Sequence, residues 1–150
     1  MNASDIGSLA VPAPGYRSTM ETGEGAAVLM AIRRGSVHIF YPGTDREFWV
    51  PTRHVRTIPA DAVPTDSLES FLSRILKFLR AEECTLVAFD GTSATLDITY
   101  PGMNRDQLLE FLELLGPCLG DYAIKPGSMQ VALIQVELVN LPAPAPLPNS

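Results

Sequence analysis

Two histidines, His38 and His54, two cysteines, Cys84 and Cys118, and a scatter of carboxylates are the side chains here that could move a proton, attack a carbonyl or hold a metal. A zinc site needs three or four such ligands at short, fixed spacings, and neither H-E-x-x-H nor C-x-x-C occurs. A thiol nucleophile needs a neighbouring base and a lowered pKa. Cys84 instead follows Glu82 and Glu83, whose charge keeps a thiol protonated. Cys118, after Gly116 and Pro117, reads as a small core hydrophobe. Glycine-rich phosphate loops of the G-x-G-x-x-G or G-x-x-x-x-G-K-[ST] type are absent, as is the G-x-S-x-G elbow. Glu82 with Glu83, or Asp90 with Asp97, suits a solvated face as well as acid–base work. No catalytic residue, metal or cofactor is assigned from these patterns.

Recognition chemistry is better represented. Residues 40–56 bring together Phe40, Tyr41, Phe48 and Trp49, the only tryptophan, with Arg46, Arg53 and Arg56 and two prolines. Strand side chains alternate between faces, so half of these aromatics must serve a core. The outward half, with the arginines, has the composition enriched where protein interfaces concentrate their energy. Tyr41, Arg46, Trp49, Arg53, His54 and Arg56 are therefore the candidate binding residues. Between positions 31 and 60 there are five basic residues against two acidic ones, in a chain whose net charge is −6. Such a patch is complementary to an acidic partner or to another copy of the same acidic molecule. The overall sign, with a pI of about 4.8, repels nucleic acid and anionic membranes.

Elements must hold this patch. Residues 26–32 form an apolar run of strand length, Arg33 to Ser36 are turn material, and residues 37–41 make a second strand. Pro42 to Asp45 turn the chain, and residues 47–50 and 53–58 give two more extended pieces, broken at Pro51. This first half is a small antiparallel meander. Asp66 and Glu69 have capping-box spacing, and Leu68, Phe71, Leu72, Ile75, Leu76 and Leu79 then share one helical face. A second helix opens at Asn104 with Gln107 behind it and ends at Gly116-Pro117. Its leucine-rich face is wider than one contact requires.

A hairpin follows each helix, the first turning at Asp90-Gly91 and the second at Pro126-Gly127. Residues 66–102 and 104–140 are thus two helix-hairpin (αββ) units. The expected class is α+β: an antiparallel sheet with two helices on one face, built from the N-terminal meander and the two units. In outline this resembles the duplicated βαββ folds of ligand-sensing domains, with no motif that assigns a family.

Residues 1–25, rich in Gly, Ser, Ala and Pro, read as a flexible N-terminal segment, residues 26–140 as one domain, and residues 141–150 as a Pro-rich flexible tail. The N-terminus has no basic and apolar leader, and no apolar run approaches the length of a membrane span. A cytoplasmic location is expected. The functional expectation is a non-catalytic protein–protein interaction module, an adaptor, accessory subunit or small scaffold, acting through residues 41–56 on a protein partner or by self-association. The alternatives are a small-molecule-sensing domain with a pocket between the two αββ units, and a cofactor-free enzyme using Asp, His or Cys.

Overall fold

The computed structural model describes residues 1–16, 25–127 and 130–146. Its elements are β1 (Leu9–Pro12), β2 (Ala27–Arg33), β3 (Ser36–Tyr41), β4 (Arg46–Pro51), β5 (Val55–Ile58), α1 (Leu68–Leu79), β6 (Glu83–Phe89), β7 (Ala94–Tyr100), α2 (Arg105–Leu115), β8 (Leu119–Pro126) and β9 (Ala132–Leu138). The class is α+β, and the strands divide into two antiparallel sheets ordered β4-β3-β2-β1-β5 and β6-β7-β9-β8.

The first sheet is strongly curled. A flat sheet would set β4 and β5 about 19 Å apart, four spacings of ~4.8 Å. Yet only residues 52–54 separate the two strands, and four residues reach at most about 14 Å. The sheet therefore bends round until its two edges approach each other. A register shift in β2 between Leu29 and Ala31 supplies a local bend of the kind a bulge produces.

The second sheet follows the two-unit reading. Each helix is followed by its hairpin, and the units join through their second strands, β7 against β9, with Ile98 opposite Ile134. Leu96, Ile98 and Tyr100 are buried while Asp97 between them is exposed, as period-two alternation requires. Asp90 shapes the first hairpin turn: its carboxylate accepts from the amides of Thr92 and Ser93 and is held at about 2 by those bonds. Asn104 and Gln107 form the expected reciprocal capping box on α2. The cap of α1 lies one residue later than its sequence suggests. Ser67 Oγ, not Asp66, accepts the Ser70 amide, and Ser67 donates to the Pro64 carbonyl.

Both ends, expected to be loose, carry ordered structure over their described residues. β1 lies between β2 and β5, Leu9 opposite Val28 on one side and Ile58 on the other, and Ile6, Leu9 and Ala10 are buried. Four residues with no alternation give no periodic signal, but pairing on both edges leaves their backbone satisfied and their side chains enclosed. At the other end, Leu141 donates its amide to Thr92, Ala143 accepts from the first amide of α1 at Leu68, and Ala145 donates to the Glu69 carboxylate at 3.0 and 3.2 Å. The proline-rich segment thus straps across the start of α1. Residues 17–24 and 147–150 of the two expected loose ends lie outside the described residues, as do Ser128 and Met129 of the second hairpin turn.

Candidate functional site

Counting outward from the turn after Tyr41 sets the register of β3 against β4: Tyr41 faces Arg46, Phe40 faces Glu47 and His38 faces Trp49. Directly opposed side chains on one face touch. The His38 imidazole stacks on the Trp49 indole, centroids 5.0 Å apart and planes inclined by 21°. Arg33, at the end of β2, places its guanidinium carbon 4.4 Å from the same indole centroid. Glu47, two residues before Trp49 and so on its face, brings Oε1 to 3.5 Å from His38 Nε2. Trp49 remains 43% exposed.

These side chains form one wall of a cleft of about 270 Å³, whose other wall is Glu83, Cys84 and Thr85 of β6. The cleft therefore lies where the edge of the curled sheet meets the first strand of the second sheet. Burial pushes the His38 imidazole below its usual value, and the opposing pull of Glu47 does not reverse this. His38 is neutral at pH 7 and acts as a flat support for the indole. The Cys84 thiol, in the cleft wall but buried, is pushed far up by burial, with Asp97 and Glu83 adding to the effect. It stays protonated and is no nucleophile at neutral pH.

The six residues expected to form one patch are divided. Tyr41 is fully buried, its ring edge-on to Phe48 at 6.4 Å, so it belongs to the core and not to a contact surface. The alternation that turns Trp49 outward on β4 requires this, because Tyr41 and His38 lie three residues apart on β3 and so face opposite ways. Trp49 and Arg46 are exposed on β4. Arg53 and His54 sit in the short 3-10 turn before β5, and His54 stacks on Tyr16, centroids 4.2 Å apart. Arg56 lies on β5 at a separate cleft of about 250 Å³ bounded by Val11, Val63 and Pro146. Arg33, His38 and Glu47 were absent from the expected patch; the hairpin register, counted from Pro42 to Asp45, was the signal that pairs His38 with Trp49.

Between the two αββ units, the place considered for a ligand pocket, Phe78 of α1 stacks on Phe111 of α2 at 6.0 Å. Among the described residues no group of three or more His, Cys, Asp or Glu side chains is gathered to hold a metal ion. No described helix is long and apolar enough to cross a membrane. The chain matches no known protein family, and no curated protein or solved structure is significantly similar to it.

Proposed function

We propose that this protein is a non-catalytic interaction module, an adaptor or accessory subunit of the cytoplasm, that binds an acidic protein partner through the cleft at Trp49. The observation that carries this reading is the sole tryptophan, left 43% exposed on an edge strand and held in place by His38 and Arg33. A large amphipathic ring fixed before binding loses little entropy when a partner covers it. Arg33 lies over the indole and Arg34 follows it in the exposed turn after β2, on a molecule of net charge −6. These cations favour a carboxylate of the partner at the Arg33 side of the ring, while Glu47 and Glu83 line the rest of the cleft. Two free cysteines suit a reducing compartment.

Because Trp49 is the only indole, its fluorescence reports on this site alone. Capture from native extract with the wild type and with Trp49→Ala should yield a partner that the variant loses. Adding that partner, once purified, should shift the Trp49 emission to the blue, and Arg33→Glu should weaken the binding. A variant that retains every partner of the wild type, or a partner that leaves the emission unchanged, refutes the reading.

A further inference from the structure

β8 is the last strand of the second sheet, and every residue from Gly120 to Pro126 is exposed. Tyr122 and Ile124 lie opposite the buried Val136 and Ile134, so they share the core-facing side of the sheet. They nevertheless remain 37% and 42% exposed, and the close neighbour of this strand is β9, not a helix. The Gly127 amide donates to Val131 on the β9 side, whereas the Tyr122 amide donates to its neighbour's carboxylate, Asp121 Oδ1, at 2.8 Å. Backbone groups alternate in direction along a strand. Odd-numbered residues of β8 thus bond inward to β9, and Tyr122 and Ile124 turn their peptide groups to the open edge.

The segment Asp121-Tyr122-Ala123-Ile124-Lys125 is complementary to itself when reversed. We propose that β8 pairs antiparallel with β8 of a second copy of this chain, about a two-fold axis at Ala123, joining the two sheets into one. In that register Tyr122 and Ile124 of opposite copies exchange both backbone hydrogen bonds, and their side chains cover each other on the core-facing side. Asp121 faces Lys125 of the other copy, and Ala123 meets its own equivalent with no bulk between the strands. The Tyr122 amide passes from the Asp121 carboxylate to the Ile124 carbonyl of the second copy, which frees the carboxylate for Lys125. Shifting the axis by one residue keeps Tyr122 and Ile124 at the edge but sets Asp121 or Lys125 against Ala123, so charge selects the register. This contact is independent of the Trp49 cleft, which adjoins β6 at the other edge of the same sheet.

Sedimentation equilibrium on the full chain tests it. The wild type should dimerise, Lys125→Asp or Asp121→Lys should weaken the dimer by about tenfold through two facing like charges, and the double exchange should restore it. Ala123→Cys, in a Cys118→Ser background, should form an intermolecular disulfide on mild oxidation. Residues facing each other in a non-hydrogen-bonded pair have Cα atoms about 4.5 Å apart, within disulfide reach. Far-UV circular dichroism checks that each variant is folded. A wild type that stays monomeric to its solubility limit, a double exchange as weak as the single changes, or an Ala123→Cys chain that does not cross-link overturns the proposal. Trp49→Ala should leave the dimer unchanged.

Discussion

Replacing Gly7 by alanine tests whether the N-terminal segment is part of the fold. Gly7 precedes β1 and has φ +89°, a region that L side chains rarely adopt. Its amide donates to the Leu29 carbonyl at 2.8 Å, tying it to β2. A Cβ built there would stand 2.8 Å from Leu76 Cβ and 3.3 Å from the Ser73 carbonyl oxygen, both on α1. Two costs add: about 1–2 kcal/mol for the left-handed backbone, and about 1–3 kcal/mol for forcing a methyl into a filled space. The sum is about 2–5 kcal/mol. Gly35 provides the control, since its φ is +78° but no atom lies within 4 Å of a Cβ built there. Gly35→Ala should carry the backbone cost alone, about 1–2 kcal/mol. Urea unfolding followed by Trp49 emission and by circular dichroism measures both. If the two substitutions cost the same within about 0.5 kcal/mol, the close approach of Gly7 to α1 does not exist and residues 2–12 are not anchored as described.

Leu72→Ala on α1 should cost about 3 kcal/mol, the usual penalty for truncating an enclosed leucine, whereas Leu112→Ala on α2, only half-buried, should cost about 1 kcal/mol; equal losses in urea unfolding would contradict the burial difference. Burial raises the Glu69 carboxyl above its ordinary 4.5, so the folded chain holds that proton more tightly than the unfolded chain. Its contribution is complete below about pH 4.5 and is lost as pH rises through the folded value; the stability of Glu69→Gln relative to wild type should therefore climb between pH 4 and 7, and a flat difference would refute it. An alkylating reagent should label Cys118 in the native protein and reach Cys84 only on unfolding, a distinction that mass spectrometry of the labelled peptides would deny if both react together.

The legible parts of the fold are those in which local chemistry repeats. All six apolar positions assigned to α1 are buried, because a stripe at 3.6-residue spacing has one way to meet a core. Asp90-Gly91 and the Asn104–Gln107 box work within a few residues of themselves, so no distant contact overrides them. β1 and the C-terminal strap depend on the opposite circumstance. Their order comes from backbone hydrogen bonds to Leu29, Thr92 and Leu68 and from the Ala145 amide donating to the Glu69 carboxylate, all residues remote in sequence. Glu69 shows how such a contact misleads a local reading: its spacing from Asp66 suggested a cap, but its carboxylate, 2% exposed, receives the Ala145 amide instead.

The leucines of α2 could not be sorted by sequence, because a leucine facing a core and one facing a partner follow the same period. Phe111 and Leu115 are buried and Leu109 is 55% exposed, on the helix nearest in sequence to β8. The apolar width of α2 and the uncovered Tyr122 and Ile124 belong to the same half of the molecule, and a second copy at β8 would cover both strand residues. Joining the sheets there sets the two β6 strands, and the Trp49 clefts beside them, at opposite outer edges, about 34 Å apart across seven strand spacings. A partner with one acceptor would then bind each copy separately, while a partner with two acceptors at that separation would gain an effective concentration that neither cleft supplies alone. Lys125→Asp would remove that gain without altering Trp49, Arg33 or His38. Affinity for a paired acceptor would fall, and affinity for a single one would stay the same.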